Sequence, residues 1–333
     1  MSRPLPSPPS IFTNPTLDSY TVEKRGMVMQ SDLMKGLNLR QIYSRGITGK
    51  GITAAVLDTG IYLHGDFVKP ENRIRYFKDF VNGKKEMYDD NGHGTHVTGI
   101  IASAGRQPDG SRIGVAPEAA IVALKVLDRS GSGKMSVMIQ AIDWLLQHHK
   151  EYDIRIVNIS VGMPVKNAKN PENDMIVQKV EALWDEGLVV VVAAGNEGPA
   201  QYTITSPGVS KKVITVGAQE EHSYMKRGNK RETRYSGCGP VPGTCVCKPD
   251  VVAPAGHILS CDNQPGAYKR RSGTSMATPI VSGVIALLLS SEPWLTNFDI
   301  KVRLMETSLD CGQPKNRQGW GALNPAGLFG LKA

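Results

Sequence analysis

The sequence predicts an α/β protein built on one doubly wound, mainly parallel sheet with helices on both faces. Short apolar, β-branched runs alternate with longer segments of helical period from Gly51 onward, as in successive βαβ units. The apolar runs are continuous, which predicts strands buried on both faces. The chain has 333 residues, of which 40% are hydrophobic, so it is long enough to bury such a core.

The chain divides into a leading extension, residues 1–45, and one large domain, residues 46–333. The extension begins with prolines and polar residues and has no sustained period. The predicted strands of the domain are 52–58, 121–127, 154–161, 188–194 and 213–218, and the predicted helices are 93–104, 136–150, 172–186, 275–291 and 297–308. In open parallel sheets, reactive groups gather beyond the carboxyl ends of the strands. The functional residues are therefore expected where these strands end.

Charge and hydropathy narrow the functional classes. The net charge is +8, which would suit a polyanionic partner. The basic residues, however, cluster at 226–234 and 269–271 without interleaved aromatic residues, which favours solvated loops over a nucleic-acid surface. No basic stretch followed by an apolar run opens the chain, and no apolar run approaches the roughly 18 residues that span a bilayer. We expect a cytoplasmic protein that binds neither nucleic acid nor membrane.

The cysteines are five in number and lie in the last third of the chain. They are Cys238, Cys245, Cys247, Cys261 and Cys311. An odd count is a poor disulfide framework, so we interpret them mostly as reduced thiols. The first three lack the paired two-residue spacing of a zinc site. A disulfide or a free reactive thiol remains the alternative.

Asp58 ends the first predicted strand, in AAVLDTGI. An aspartate at a strand end commonly forms a turn with its own backbone. The apolar residues before it also predict a partly buried carboxylate, which needs a partner such as a histidine.

His93 stands between two glycines in DDNGHGTHVTGI. His93 and His96 are three residues apart, whereas the usual two-histidine metal helix has a four-residue step with a glutamate between, so a metal pair is disfavoured. Gly92 and Gly94 remove side chains on both sides of His93, as is useful where a substrate backbone comes close. His96, inside the predicted helix, is interpreted as structural.

Ser275 and Asn196 complete the candidate site. Ser275 lies where a turn of small residues opens a strongly apolar helix, in RSGTSMATPIVSGVIALLL. A serine at a helix start is common as a cap, yet the free donors and the positive dipole end there also stabilise negative charge on a substrate oxygen. Asn196 follows a buried strand in AAGNEGP. Asparagine beside glycine is often a turn, and here its amide is placed to donate to the same oxygen.

The segments DTG, GHGTHVTG and GTSMATP, in the order Asp, His, Ser, resemble the subtilisin-like serine proteases, and AAGNEGP matches the oxyanion-hole segment of that family. The similarity runs from about Gly46 to about Gly330. Within the family, YDDNGHGTH and KVLDRSGSGK are most similar to the intracellular bacterial branch.

The resemblance implies a serine endopeptidase of broad specificity that acts on polypeptides and requires no cofactor for its chemistry. Ser275 would attack the scissile carbonyl and form an acyl-enzyme, His93 would carry the proton to the leaving amine, and Asp58 would hold the imidazole in the correct tautomer. The oxyanion would lie between the Asn196 amide and the Ser275 N–H. A catalytically dead, peptide-binding relative is the competing interpretation, which an intact triad disfavours.

The family also binds the substrate backbone as an added strand. By motif, residues 131–133 form a first rail, residues 160–162 a second, and 194–195 and 207–208 line the pocket for the residue that precedes the cut. The predicted substrate-binding residues are Gly131, Ser132, Gly133, Ser160, Val161, Gly162, Ala194, Gly195, Glu197, Pro207 and Gly208. Met163 stands where the family has a glycine, which leaves the width of the pocket open. Glu197 suggests a preference for basic or polar residues.

Two further expectations come with the resemblance. Many relatives bind structural calcium, and Asp66, in HGDF, matches one ligand, but the loop 104–113 lacks the asparagine pattern that completes that site. The extension is too short for a folded pro-domain. We expect it either to lie over the cleft as a short inhibitory arm, with Lys24 and Arg25 as a processing point, or to be a tail without that role.

Overall fold

Seven parallel strands form the central sheet of the computed structural model, which describes residues 12–13, 37–165, 168–219, 223–227, 230–234 and 236–331. The strands are β1 Phe12–Thr13, β2 Thr53–Asp58, β3 Ile74–Asp79, β4 Ala120–Lys125, β5 Ser132–Gly133, β6 Ile154–Ile159, β7 Val189–Ala193, β8 Ile214–Ala218, β9 Ser223–Arg227, β10 Lys230–Arg234, β11 Val251–Ala253, β12 Ile258–Cys261 and β13 Tyr268–Arg271. The sheet order is β11-β8-β7-β6-β2-β4-β3, and three antiparallel pairs, β1 with β5, β9 with β10 and β12 with β13, lie outside it.

The central strands are buried on both faces, as their continuous apolar sequences predict. Every residue of β2, β4 and β7 is buried. Because neighbouring side chains of a strand point to opposite faces, Ala54 and Val56 pack in one hydrophobic cluster while Ala55 and Leu57 pack in the other. Each face of the sheet therefore requires its own layer of helices.

Helices cover both faces. They are α1 Leu39–Ser44, α2 Gly65–Val68, α3 His93–Ala102, α4 Met135–His148, α5 Met175–Asp185, α6 Thr274–Ser291, α7 Asn297–Thr307, α8 Lys315–Gln318 and α9 Pro325–Leu328. Helices α3 and α6 contribute to the first cluster, and α4 and α5 to the second. The doubly wound α/β fold predicted from the sequence is confirmed.

Helix α6 is apolar on all sides. Its 18 residues have a mean hydropathy of 1.5, enough in length and composition to cross a membrane, but 89% of them are buried inside the fold. A helix that is hydrophobic all round fits the core of a large domain. We therefore assign α6 to the core; it is the one helix of this length and hydropathy among the described residues.

The sequence patterns did not predict the two edge strands of the sheet. The five predicted strands are present within two residues at each end, whereas β3 and β11 were not predicted. Strand β3 has the burial pattern of an edge, with exposed Arg75 among buried residues, and β11 has only three residues. Both are too short or too polar to give a continuous apolar run.

The domain begins earlier than residue 46. Leu37, Leu39 and Ile42 are all buried and belong to the first hydrophobic cluster. The proposed boundary of the extension was therefore too late, because residues 37–45 contribute to the core. Lys24 and Arg25 lie outside the described residues, as do the side chains of the basic segment 226–234. The second basic cluster is strand β13 rather than a loop, and Arg271 is buried.

Candidate active site

Asp58 and His93 form a buried pair at the carboxyl edge of the sheet. Asp58 is the last residue of β2 and His93 the first of α3. His93 Nδ1 lies 2.7 Å from Asp58 Oδ1, which also accepts the N–H of Thr59 at 2.7 Å. Both side chains are at most 2% exposed. Oδ2 of Asp58 is buried without a hydrogen-bond partner in the described part of the chain, so the imidazole is the main partner of this carboxylate.

A second carboxylate, Asp89, holds the loop that leads into α3. Its Oδ1 accepts Thr59 Oγ1 at 2.9 Å, Asn91 N at 3.0 Å and Gly92 N at 2.8 Å, and its Oδ2 accepts the N–H and hydroxyl of Thr95. Burial alone would raise the pKa of Asp89, but the hydrogen bonds from Gly92, Thr95 and Asn91 outweigh burial and lower it. Asp89 is therefore ionised and fixes the start of α3.

Lys125 supports the other side of the Asp58 turn. Its buried Nζ donates to Thr59 O at 2.6 Å and Leu127 O at 2.9 Å, and it pairs with Asp90 Oδ1 at 2.6 Å. The patterns considered above did not single out Lys125. A lysine at the end of an apolar strand, with two adjacent aspartates just before the His93 motif, was the available signal.

The glycines that flank His93 serve packing rather than substrate approach. A Cβ on Gly94 would lie 2.3 Å from Gly60 O, and the Gly94 N–H donates to Thr59 Oγ1 at 2.8 Å. Gly92 has φ 89°, and a Cβ there would lie 2.9 Å from Asn263 Oδ1. The close approach is therefore between α3 and its own domain, which corrects the interpretation made from the sequence.

His96 is a structural residue. Its Nε2 lies 3.0 Å from Ile258 O and 2.9 Å from Lys269 O. Burial, together with the charges of Arg271 and His93, holds its pKa well below the ordinary value. The ring is therefore neutral and joins α3 to the β12–β13 hairpin.

Ser275 is the second residue of α6. It is 8% exposed, and its Oγ donates to Ser160 O at 2.8 Å, so the hydroxyl is turned towards the end of β6. An N–H in the first turn of a helix has no acceptor within the helix, and the positive end of the dipole lies there. The preceding Gly273 has φ 133°, a conformation that strains other residues. This turn presents the serine and its N–H together.

Asn196 lies beside the same turn. Its Oδ1 accepts Thr274 N at 3.1 Å and Thr274 Oγ1 at 3.2 Å. Because the oxygen end of the amide is committed to the helix start, the nitrogen end is the one left to donate. Asn196 and Ser275 thus supply two donors from different elements.

The predicted substrate-binding residues lie along the same edge. Residues 132–133 of the first rail form β5, and their backbone pairs in antiparallel register with β1, Phe12 opposite Gly133 and Thr13 opposite Ser132. Ser160, Val161 and Gly162 continue from the end of β6. Ala194, Gly195 and Glu197 follow β7, with Glu197 exposed, while Pro207 and Gly208 are buried in the next turn.

Thr205 contacts two of the predicted substrate-binding glycines, and sequence reasoning missed it. A Cβ on Gly162 would lie 2.2 Å from Thr205 Oγ1, and one on Gly195 would lie 2.5 Å from Thr205 Cγ2. Thr205 therefore packs against both proposed walls of the pocket, and both walls must be glycine. Met163 does not decide the width, because it is buried in the second hydrophobic cluster and its backbone pairs with Ser206.

Asp66 lies apart from this edge, in α2. Its carboxylate accepts the hydroxyls of Ser103 and Tyr268, and Cys261 Sγ lies 3.6 Å from its Oδ2. Burial raises the pKa of Asp66, but hydrogen bonds from His64, Ser103 and Tyr268 prevail and lower it to about 2. These neighbours are mostly donors and one sulfur, whereas calcium takes six to eight oxygen ligands.

A buried aspartate–histidine pair and a serine at a helix start, on the carboxyl edge of a parallel sheet, are the features of a serine hydrolase of the α/β class. The model of the subtilase family matches residues 49–321. The chain therefore belongs to the subtilase family of serine endopeptidases.

Individual relatives agree with this assignment. The chain is 41% identical to serine protease AprX of Bacillus subtilis strain 168 over 84% of its own length and 66% of AprX, so it spans just under two thirds of that protein. It is 34% identical to subtilisin Savinase of Lederbergia lenta, over 85% of this chain and 92% of Savinase. The solved structure of Sphericase aligns with a TM-score of 0.68 at 30% identity, over 83% of this chain and 92% of Sphericase. A cold-adapted subtilisin-like serine proteinase aligns with a TM-score of 0.63 at 32% identity, over 84% and 88%.

Proposed function

We propose that this protein hydrolyses peptide bonds in polypeptides through an acyl-enzyme on Ser275. The observation that carries the proposal is the buried Asp58–His93 pair, with its 2.7 Å contact, at the edge where α6 presents Ser275. An oriented histidine near a serine is the arrangement that activates a hydroxyl for attack on a carbonyl. All the groups that this chemistry requires belong to the chain itself.

The reaction begins when the Ser275 hydroxyl turns from Ser160 towards His93. Nε2 of His93 takes the proton as Ser275 Oγ bonds to the carbonyl carbon, and then gives it to the leaving amine as the C–N bond breaks. Water repeats the sequence and releases the acyl group. Asp58 holds Nδ1 in its protonated form throughout and stabilises the imidazolium.

The oxyanion of each tetrahedral intermediate is bound by the Asn196 amide nitrogen and the Ser275 N–H. Both donors are fixed before substrate arrives, Asn196 by Thr274 and the N–H by the helix. Preorganised donors of this kind stabilise charge that develops only in the transition state. Loss of the asparagine costs about 3 kcal/mol in subtilisin itself, a value carried over here from that relative.

Substrate binds as a strand between the rails, which gives affinity with little sequence preference. The substrate residue that precedes the scissile bond enters the pocket between Gly162 and Gly195. Thr205 contacts both glycines and narrows the pocket. The exposed Glu197 beside the oxyanion asparagine favours basic or polar residues. A map of cleavage sites that shows a uniform preference for acidic residues would exclude this role of Glu197.

The N-terminal extension acts as an inhibitor in this proposal. Its β1 pairs with β5, which is part of the first rail, so the extension occupies backbone groups that a substrate strand would use. The test is the activity of a chain that lacks residues 1–35, since this deletion spares the buried Leu37 and Leu39. An inhibitory arm predicts higher activity, which a peptide of residues 1–30 added in trans lowers again. Unchanged activity in both experiments would make the extension a tail without that role.

Labelling of the full chain by a fluorophosphonate tests the nucleophile. We expect stoichiometric labelling that Ser275→Ala abolishes, together with about a millionfold loss of turnover, the magnitude known for subtilisin. The matched control is Ser291→Ala at the other end of α6, whose hydroxyl bonds only within the helix, to Leu288 O. Labelling that survives Ser275→Ala would refute the mechanism. The cytoplasmic location, and the absence of nucleic-acid or membrane partners, stay predictions.

A further inference from the structure

A histidine, a carboxylate and a thiol from three parts of the chain meet outside the active site. His64 caps α2, Asp66 lies in α2, and Cys261 ends β12. One ligand atom from each lies within 4.8 Å of the other two. We propose that His64, Asp66 and Cys261 bind a divalent ion of the zinc type.

The distances suit tetrahedral coordination. His64 Nδ1 lies 3.5 Å from Asp66 Oδ1, and Cys261 Sγ lies 3.6 Å from Asp66 Oδ2. Bonds of 2.0–2.3 Å to a tetrahedral zinc ion place its ligand atoms about 3.3–3.7 Å apart. The two distances end on different oxygens of Asp66, and all three ligand atoms lie within 4.8 Å of one another, so a rotation of the carboxylate and a closer approach of His64 and Cys261 would surround an ion.

The ligands match the charge and the chemistry of such an ion. A carboxylate and a thiolate carry two negative charges, and with a neutral imidazole they balance a divalent cation. Thiolate and imidazole select zinc or cadmium over calcium, which prefers oxygen. As the metal–sulfur bond forms, the Cys261 thiol loses its proton to solvent.

His64 faces the cluster through Nδ1. This atom accepts the N–H of Asp66 at 3.2 Å, which is a long hydrogen bond. Because Nδ1 accepts, the neutral ring carries its proton on Nε2, and Nδ1 holds the lone pair that a metal ion needs. A metal ion on Nδ1 would replace the long hydrogen bond, and the ring, 1% exposed, is already held by burial.

Solvent access and a fourth ligand for the metal ion would come from the side of the cluster that Tyr268 covers. Tyr268, 39% exposed, donates to both oxygens of Asp66 at 3.0 and 3.1 Å. The Asp66 side chain is itself 12% exposed. Movement of the tyrosine would open a path from solvent and leave room for a water molecule or its own hydroxyl on the metal.

The site lies next to the helix that carries His93. Ser103, the cap of α3, donates to Asp66, and Ser260, beside Cys261, donates to His96 O at 2.8 Å. A metal ion would therefore join the turn after β2, the end of α3 and the β12 strand. We assign it a stabilising role, since none of its ligands is a proposed catalytic residue.

The experiment uses the full chain with Ser275→Ala, which prevents self-digestion. Cd²⁺ is titrated while the ultraviolet charge-transfer band of a cadmium thiolate is recorded, and Zn²⁺ is titrated by calorimetry. Both titrations are expected to show one buried site. Cys261→Ser should remove the cadmium–thiolate band and weaken zinc binding by more than about 100-fold. The control, Cys245→Ser with Cys247→Ser, removes two exposed thiols and should leave the site intact.

A second variant separates ligand loss from misfolding. His64→Asn keeps an acceptor for the Asp66 N–H, so its metal-free thermal midpoint should stay near that of the parent while zinc no longer raises the midpoint. The proposal is overturned if the cadmium band disappears with Cys245 and Cys247 instead of Cys261. Zinc binding unchanged by Cys261→Ser or His64→Asn, or displacement of zinc by equimolar Ca²⁺, would overturn it as well.

Discussion

Thr59→Val tests whether the Asp89 network positions His93, the proposed catalytic histidine. The Thr59 hydroxyl donates to Asp89 at 2.9 Å and accepts the N–H of Gly94 at 2.8 Å. Valine keeps the shape of the side chain and removes both bonds. The substitution therefore disconnects the start of α3 from the turn that carries Asp58.

The magnitude follows from the groups left behind. Gly94 is buried in the first turn of α3, so its N–H has no helical acceptor to replace the hydroxyl, and an unpaired buried donor costs about 1–3 kcal/mol. Asp89 keeps four other donors, so we add only about 1 kcal/mol for the bond it loses. The free energy of unfolding should fall by about 3 kcal/mol, and the thermal midpoint by about 5 °C, because the unfolding entropy of so large a domain is high. Displacement of His93 should lower kcat/KM on the order of 10- to 100-fold.

Urea unfolding in a Ser275→Ala background measures the stability, and peptide hydrolysis by the active chain measures kcat/KM. The matched control is Thr98→Val on the same helix, because Thr98 Oγ1 is buried without a hydrogen-bond partner in the described part of the chain. Removing an unsatisfied hydroxyl should be neutral or slightly stabilising. Equal effects of the two substitutions on stability and kcat/KM would refute the reasoning, since valine itself would then be the cause.

Four further outcomes are expected. Asp58→Asn should lower kcat about 10⁴-fold with the fold intact, the magnitude known for the same change in the chymotrypsin triad; a loss below tenfold would contradict the role of Asp58. Asn196→Ala should lower kcat by about 10²–10³ with little change in KM, and a change confined to KM would argue against an oxyanion donor. Thr205→Gly should shift cleavage towards bulkier residues before the cut, which profiling on a peptide library would detect. Burial, with the nearby Lys248, lowers the pKa of Lys301 from 10.5 to about 8. Between these two pH values the unfolded state binds more protons than the folded state, so the free energy of unfolding rises with pH. Lys301→Met should flatten this rise, measured by urea unfolding at several pH values.

The architecture was largely readable from the sequence. Strands β2, β4, β6, β7 and β8 are buried on both faces and give continuous apolar runs, and α6 gives an apolar segment that only a core can accommodate. The edge strand β3 carries charged residues because part of it meets solvent. Its pairing depends on a distant neighbour in the chain, β4, with Ile74 opposite Ile121 and Asp79 opposite Lys125, which no local pattern records.

The sequence indicates the proposed reacting groups but not the residues that support them. Asp58, His93 and Ser275 lie in short motifs at the ends of strands and helices, so the neighbouring sequence alone indicates their proposed roles. Thr205 was missed because its contacts with Gly162 and Gly195 join turns that are distant in sequence. Leu37, Leu39 and Ile42 were placed in the extension because three buried residues in a short polar segment give no sustained period.

The burial of α6 has a consequence for how this protein loses activity. Residues 274–289 are all buried. The proposed nucleophile therefore lies at the N-terminus of a helical segment about 24 Å long that packs against the core along nearly its whole length. Such a serine has no local hinge of its own and cannot drift while the rest of the domain stays folded. Inactivation by heat should therefore coincide with unfolding of the core, and a partly loosened but active form should not accumulate.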